Sequence, residues 1–247
     1  MPLGIVHLQL GLQLGAGAPE FAAPPPPPST ARNFNGTSSD YLEAADSASL
    51  RTPSAAITVA CWVRPTSATP PASATALRKH IVSPVGYTFL LAQNTTLSNR
   101  FWFIIKVSST NKSTDTAPAL IKGTWYFLVG RWASGGKVNL DIYNADGSLY
   151  AHVESVSTAS GTLTYAADPL YVGNKADLTQ GLNADLAQIY IDNTSLSDAD
   201  VQTLLSGTRP HTASAGSWLV GVASPDPDDS GNGNNLTVHG TTLVAGP

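Results

Sequence analysis

Acidic side chains alternate in one loop near the end of the chain, in the stretch DPDDSGNGNN. Asp226, Asp228 and Ser230 occupy every second position before Gly231, as in the first half of a calcium-binding loop. The glutamate that completes such a loop at its twelfth position is replaced by Thr237. The pattern therefore predicts either a calcium site at Asp226 and Asp228 or a turn in which aspartate side chains cap backbone N–H groups.

Five tryptophans offer flat apolar rings, which can serve as platforms for sugars when polar groups lie nearby. Trp102 and Trp132 each lie in an apolar strand pattern that alternates with a second apolar face, so that one of the two could face solvent. We therefore predict glycan binding at Trp102 and Trp132. Packing in the protein core is the alternative for each ring.

Residues for covalent or hydrolytic catalysis are scarce. The sequence has three glutamates, of which Glu20 lies in a Pro-rich segment and Glu154 has no acidic residue two or four positions away. The pair of carboxylates about 5 Å apart that retaining glycoside hydrolysis needs is therefore missing. The histidines lack metal-ligand spacing, and no Gly-x-Ser-x-Gly or phosphate-binding motif occurs. We expect no enzyme, with an unrelated aspartate-based site as the alternative.

Composition excludes several classes of partner. The chain has 247 residues, a charged fraction of 12% and a net charge of -4. Its 13 Lys and Arg residues are spread along the chain without forming a basic stripe, which argues against nucleic acid and against an anionic membrane surface. Cys61 is the single cysteine, so no intrachain disulfide is possible, and no apolar run is long enough to insert into a membrane.

The first thirty residues combine a strand pattern with a proline run. Apolar side chains share one face of the predicted strand at Val6, Leu8, Leu10, Leu12 and Leu14. We predict that residues 1–15 form an anchoring arm that adds to a sheet edge of another protein subunit, because an isolated strand is unstable. Residues 16–30, with five prolines in a row, form a stiff spacer. A cleaved secretion leader is the alternative.

Strand patterns and turns follow one another from residue 31 to residue 247. Only one helix is predicted, with Ser197 as its N-cap, Asp200 three residues later and Gly207 as its end. About a dozen strands with one short helix predict an all-β fold, a two-sheet antiparallel jelly-roll sandwich closed by strands within residues 208–247. RFWFIIKV is apolar on both faces, which predicts a central strand covered on both sides.

Several stretches in this order resemble the laminin-G-like, concanavalin A-like jelly-roll superfamily. They are FNGTSSDYLEAADSASL, ITVACWVRP, GTWYFLVGRWASGGKVNLDIYNADG, LYVGN, LNADLAQIYIDNTSLSDADVQTLLSG and WLVGVASPDPDDSGNGNNLTVHGTT. The resemblance covers roughly residues 31–245 and implies two curved antiparallel sheets. It does not imply one function, because the fold hosts lectins, glucanases, adhesins and structural modules.

The resemblance also implies roles for particular residues. Members of the superfamily often hold a structural calcium ion, and the matching positions here are Asp40 and Asp185, with aspartates that cap turns as the alternative. Trp125 and Trp218 match positions in the core. The Glu-x-Asp-x-x-Glu strand of the superfamily's glucanases has no counterpart in this sequence.

Together these features predict a non-enzymatic structural and display protein. The head would bind cell-surface glycans weakly, and residues 1–30 would join it to other subunits of a homo-oligomeric assembly. A capsid decoration or fibre protein on the surface of a phage-like virion fits best. The alternatives are a secreted lectin or adhesin domain and, less favoured, a glycan hydrolase or lyase.

Overall fold

The computed structural model describes residues 28–71, 73–81, 86–94 and 99–247, which fold into two antiparallel sheets packed face to face. This confirms the predicted all-β sandwich. The predicted anchoring strand over residues 1–15 and most of the predicted spacer lie outside the described residues. The first described strand begins at Thr30.

One sheet has eight strands, numbered along the chain. They are β1 (Thr30–Asn35), β3 (Ala56–Pro65), β8 (Tyr126–Ala133), β9 (Asn139–Asn144), β10 (Leu149–Glu154), β12 (Asn183–Asp192), β13 (Gly216–Trp218) and β15 (Thr242–Ala245). The order across the sheet is β10-β9-β8-β3-β12-β1-β15, and β13 pairs with part of β12. A bulge interrupts β12 between Ala187 and Ile189.

The second sheet has seven strands. They are β2 (Tyr41–Ala44), β4 (Thr75–Ile81), β5 (Gly86–Gln93), β6 (Phe101–Val107), β7 (Thr110–Ser113), β11 (Leu170–Val172) and β14 (Thr237–His239). Their order is β14-β2-β11-β4-β5-β6-β7. Because β14 pairs with β2 and β15 pairs with β1, the C-terminal residues close both sheets.

The main core lies between the two sheets. Along β3, Val59, Cys61 and Val63 belong to this core, whereas Ala60 and Trp62 belong to a second cluster on the opposite face of the sheet. Burial raises the pKa of the Cys61 thiol, which makes it an inert apolar side chain.

A close approach of the sheets depends on one glycine. A Cβ atom at Gly130 on β8 would lie 2.5 Å from the ring of Phe103 on β6. No side chain fits in that space, so Gly130 lets the phenylalanine ring pack directly on the backbone of the facing sheet.

The helix α1 (Asp198–Leu205) covers the outer face of the eight-stranded sheet. Ser197 and Asp200 form the predicted capping box, and Gly207, with a φ of 84°, follows the end of the helix. Val201 and Leu204 pack into the second cluster together with Trp62. Within the described residues, no helix is long and apolar enough to cross a membrane.

The structure corrects the predicted position of RFWFIIKV. This segment is β6, which lies next to the edge strand β7 and is not in the middle of its sheet. Its outward side chains are apolar for another reason: Trp102 and Ile104 join Leu90 and Ala92 in a small cluster on the outside of the sandwich.

Candidate functional site

The outer face of the seven-stranded sheet carries the candidate functional site. Strand alternation turns Leu42, Leu77 and Phe89 inward to the core, which leaves the intervening positions on the outside. Five half-buried rings and two buried basic side chains are grouped there, and we call them the outer aromatic face. It consists of Tyr41, Arg78, His80, Tyr87, Trp102, Tyr171 and His239.

One half of this face is a chain of four rings across strands β14, β2, β11 and β4. His239 stacks on Tyr41, with ring centroids 4.1 Å apart and an angle of 11° between the planes. The Tyr41 ring lies 6.2 Å from that of Tyr171, and His80 meets Tyr171 edge-on at 6.2 Å. Strand pairing brings together rings that are far apart in the sequence, such as Tyr41 and His239.

The other half joins an arginine to apolar side chains on β5 and β6. The guanidinium of Arg78 lies 5.3 Å from the ring centre of Tyr87, within the range of a cation–π contact. Tyr87 and Trp102 pack against the small cluster that contains Leu90 and Ile104. Arg78 pairs with Leu90 in register and with Tyr171 on its other side, so it connects the two halves.

Three buried polar atoms on this face have no hydrogen-bond partner among the residues that the structure describes. They are Nε of Arg78, Nδ1 of His80 and Nε1 of Trp102. Arg78 does donate from Nη2 to the carbonyl oxygen of Gly86 at 2.7 Å, which fixes its guanidinium plane. Buried polar groups are normally satisfied, so these three atoms make the face a candidate for bound water or for a ligand.

Burial also changes the acid–base behaviour of this face. Burial and then the positive charge of Arg78 lower the pKa of His80, which favours the neutral imidazole. Burial raises the pKa of the Tyr87 and Tyr171 hydroxyls, which therefore stay protonated and can donate hydrogen bonds. The face thus presents a neutral His80 ring and the hydroxyls of Tyr87 and Tyr171 beside the Arg78 guanidinium.

The opposite outer face, on the eight-stranded sheet, holds its charges in closed networks. Arg131 donates to Asp141 at 2.6 Å and to Asp198 at 2.8 Å, and His152 Nδ1 lies 2.6 Å from the second Asp141 oxygen. Burial would lower the pKa of Arg131, but the two carboxylates outweigh burial and raise it. We call the surface formed by Arg131, Asp141, His152 and Asp198 the paired face.

A second Asp–His pair lies near α1. His211 Nδ1 is 3.0 Å from Asp192, which also accepts a hydrogen bond from the Tyr190 hydroxyl at 2.7 Å. Among the described residues, no hydroxyl group is hydrogen-bonded to the imidazole ring of His152 or of His211, and the Tyr190 hydroxyl reaches only the backbone carbonyl oxygen of His211. The Ser–His–Asp arrangement of nucleophilic catalysis is therefore not formed at either histidine in this part of the chain.

The structure separates the two tryptophans predicted to bind sugar. Trp102 lies on the outer aromatic face. Trp132 is fully buried between the sheets, where its indole N–H donates to the carbonyl oxygen of Ala159. The prediction of a sugar platform at Trp132 is wrong, because its strand turns this ring to the core. Trp125 and Trp218 are buried, as the resemblance implied.

The predicted calcium loop is a turn held by N–H donors. Asp226 binds the Arg32 guanidinium at 2.7 Å and accepts from the backbone N–H of Gly221. Asp228 accepts from the backbone N–H groups of Ser217, Ser230 and Asn234. Because N–H donors already surround both carboxylates, the loop as folded does not fit a calcium ion.

Asp40 and Asp185 are the calcium ligands that the resemblance implied. Their carboxylates also accept hydrogen bonds from N–H groups. Asp185 binds Arg64 at 2.6 Å and Asn33 at 2.7 Å, and Asp40 accepts from the backbone N–H of Asn35 at 3.1 Å. At Asp185, Arg64 supplies the positive charge that a metal ion would bring. The described residues contain no group of three or more His, Cys, Asp or Glu side chains that could hold a metal.

Sequence reasoning missed most of the outer aromatic face. Tyr41, Tyr171 and His239 lie in strands of only three or four residues, and each was a single aromatic residue without a motif. The available signal was alternation, since Tyr41 precedes the inward Leu42 and Tyr171 precedes the inward Val172. Alternation shows on which side of its sheet a ring lies, but it does not show which strands are neighbours in that sheet.

Comparison with known proteins agrees with this architecture. The chain matches the model of the Concanavalin A-like lectin/glucanases superfamily over residues 35–202. No match was found among curated proteins.

Three solved structures illustrate the similarity of fold. A proposed carbohydrate-binding protein from Bacteroides ovatus is similar with a TM-score of 0.65 and 14% identity, over 88% of this chain and 60% of that one. A heptameric SAP-like pentraxin from Limulus polyphemus has a TM-score of 0.58 and 14% identity, over 88% and 95%. Tailspike protein 2 from Escherichia coli O157:H7 bacteriophage CAB120 has a TM-score of 0.50 and 12% identity, over 83% and 31%.

This chain thus spans only part of the Bacteroides ovatus and tailspike proteins. At these identities the likeness establishes the fold. The family match covers well over half of the sequence, and the chain belongs to the concanavalin A-like lectin/glucanase superfamily.

Proposed function

We propose that this protein is a non-enzymatic glycan-binding module displayed on a larger extracellular assembly. The observation that carries the proposal is the outer aromatic face, where half-buried rings adjoin three buried polar atoms without partners. The description of the similar Bacteroides ovatus protein as carbohydrate-binding supports the same class of ligand.

The chemistry of the face matches a sugar. A pyranose has an apolar C–H face, which packs on aromatic rings such as Tyr41 and Trp102, and a rim of hydroxyl groups that accept and donate hydrogen bonds. The unpartnered N–H groups of Arg78 and Trp102 are donors for that rim, and Nδ1 of His80 donates or accepts according to its tautomer. A purely apolar ligand would leave these donors unsatisfied.

The positions of the glutamates favour binding over hydrolysis. Glu43 lies on β2 of the seven-stranded sheet, whereas Glu154 lies on β10 of the other sheet and pairs with Lys137. They therefore cannot form the close carboxylate pair of a retaining glycosidase. We propose that the head binds glycans without cleaving them.

The assembly part of the proposal depends on residues 1–30. We propose that the strand pattern of Val6, Leu8, Leu10, Leu12 and Leu14 adds to a sheet edge of a neighbouring subunit in a homo-oligomer. A decoration or fibre protein on a virion surface is the setting we favour, and the similar phage tailspike supports it. A secreted lectin or adhesin, in which the first residues form a leader, is the alternative.

A glycan array tests the binding proposal. The full chain should bind a subset of neutral glycans, and Trp102→Ala should lower that affinity about tenfold, since a stacked ring contributes roughly 1–2 kcal/mol. Tyr150→Ala is the matched control, because Tyr150 is also a half-buried ring but belongs to β10 of the other sheet. Equal losses in both variants, or no binding by the unchanged protein, would contradict the proposal.

Deletion of residues 1–27 tests the assembly proposal. Light scattering should report a large oligomer for the full chain and a smaller species for the truncated one, with glycan binding by each head retained. An unchanged oligomer after deletion would show that the arm does not assemble the protein. Mass spectrometry of the protein from its native source distinguishes the alternative, because a leader would be absent from the mature chain.

A further inference from the structure

A cleft of about 360 Å³ lies beside the end of α1, away from the outer aromatic face. Small-molecule sites in proteins span roughly 300–1,000 Å³, so this cleft is large enough for one sugar residue. It is lined by Gln188, Gly207, Arg209, Ser217, Leu219 and Asp229. The bulge in β12 places Gln188 there, and the short pairing of β13 with β12 brings Ser217 to the same place.

Two polar groups in this cleft lack partners. The side chain of Gln188 is 98% buried, since only 2% of the residue is exposed, and its Oε1 accepts no hydrogen bond. Nη1 of Arg209 is also buried, and it donates to no group in the described part of the chain. Arg209 forms no ion pair with any acid in the described ranges, although Asp229 lines the same cleft. Both groups therefore have unused binding capacity.

The unpaired guanidinium defines the first requirement for a ligand. Arginine presents parallel N–H donors that match a carboxylate, and a partly buried arginine without a counterion favours an anionic partner. The second requirement comes from the buried Gln188 amide, which needs a hydrogen-bond partner, while the exposed Asp229 carboxylate adds an acceptor to the same cleft. The exposed apolar side chain of Leu219 supplies a third element, a surface for C–H groups.

A sugar that carries a carboxylate meets all three requirements. Its carboxylate pairs with Arg209, and its hydroxyls donate to Asp229. A hydroxyl both donates and accepts, so it satisfies the Gln188 amide in either orientation. Inorganic phosphate carries a higher negative charge beside Asp229 and has no C–H groups for the apolar surface of Leu219. A small amino acid has no hydroxyl rim and would fill little of the cleft.

We infer that this cleft is a second saccharide site, specific for a uronic acid residue, that recognises its carboxylate through Arg209. The inference deepens the proposed glycan-binding function and depends on it for the class of ligand. It uses different residues on the other sheet, so the two sites can be tested separately.

Titration calorimetry of the full chain tests the inference. The probes are glucuronate, galacturonate and mannuronate, each compared with the neutral hexose of the same stereochemistry. At least one uronate should bind about tenfold or more tightly than its hexose, because a charge-assisted hydrogen bond is lost with the carboxylate. Equal affinity for acid and hexose, or no binding of any uronate, would overturn the inference.

Two variants locate the binding. Arg209→Gln should abolish the preference for the uronate, while Lys122→Gln, which removes an exposed positive charge elsewhere, should leave it unchanged. Gln188→Met keeps the side-chain volume and removes the buried polar atom, so uronate affinity should fall severalfold while the melting temperature stays the same or rises. Uronate binding that survives Arg209→Gln would overturn the inference even if Gln188→Met failed to fold.

Competition experiments separate this inference from the proposed function. If phosphate or glycine displaces the uronate at equal concentration, the cleft is a general anion or zwitterion site and the inference is wrong. If Trp102→Ala abolishes neutral glycan binding but leaves uronate binding intact, both proposals stand as separate sites. If the uronate binds while the array shows no glycan that depends on Trp102, the proposal of glycan binding at the outer aromatic face is wrong and the inference about the cleft stands.

Discussion

The two outer faces of the sandwich treat their polar side chains in opposite ways. On the paired face, Arg131, Asp141 and His152 form a closed network, and α1 covers apolar side chains nearby. On the outer aromatic face, Arg78 and His80 are more deeply buried than Arg131 and His152, yet each keeps a nitrogen atom without a partner among the described residues. The Arg131 network satisfies its own charges and stabilises the fold, whereas the outer aromatic face keeps polar atoms that have no partner among the described residues.

The largest expected effect on stability comes from removing a carboxylate of the paired face. Asp141→Ala leaves Arg131 without its main counterion, and removal of one partner of a buried ion pair typically costs about 3 kcal/mol. Chemical denaturation should show this decrease in the free energy of unfolding. Asp198→Ala is the control, because Asp198 is exposed and its contact with the same arginine contributes less than about 1 kcal/mol. Similar costs for both variants would mean that the network is not the stabilising element.

The corresponding charge on the outer aromatic face should matter little for stability. Arg78→Met removes a buried cation that has no ion pair and no partner for Nε, so the free energy of unfolding should change by less than about 1 kcal/mol. Glycan affinity should fall severalfold, because the variant loses a donor at the proposed site. A large loss of stability with unchanged affinity would reverse the contrast between the faces.

A smaller effect concerns pH. The pKa of folded His80 lies below its ordinary value of 6.5, so the unfolded chain binds a proton more readily than the folded chain. The contribution of His80 to stability is therefore complete above pH 6.5 and decreases as the pH falls from 6.5 towards the folded pKa. Denaturation of the wild type and of His80→Gln at pH 7 and pH 5 should show a larger acid-dependent loss for the wild type. Parallel losses would show that His80 does not titrate in this way.

The smallest expected effect is that of calcium. Asp40, Asp185, Asp226 and Asp228 already accept hydrogen bonds from N–H groups, including those of arginines. Addition of calcium or of a chelator should therefore change the melting temperature by less than about 1 °C, because a ligand raises this temperature only by binding the folded state. A clear rise with calcium would mean that these carboxylates rearrange around a metal ion.

Much of the fold could be predicted from local patterns. Ser197, Asp200 and Gly207 set the bounds of α1 through contacts within one or two turns, which is why the helix could be predicted from a short stretch. The candidate site could not be predicted in this manner. Arg78 was unremarkable in the sequence, and its importance depends on Tyr87 and Tyr171, which different strands place beside it.

Trp102 and Trp132 show the same limit of prediction from local sequence patterns. Both lie in strands with two apolar faces, because the small cluster covers the outside of β6 and α1 with its neighbours covers the outside of β8. When both faces of a strand are apolar, alternation no longer shows which one points to the core. The choice depends on what packs against the sheet, and only the folded chain contains that information.

The sequence by itself determined the all-β class, the family, the position of the helix and the lack of a glucanase motif, because each depends on residues close together in the chain. Only the tertiary structure decided which rings share a face, which carboxylates are occupied by arginines and where Gln188 and Arg209 meet in a cleft. These features arise from pairing between distant strands, and the free energy of such pairing is a property of the assembled sheets rather than of any single segment.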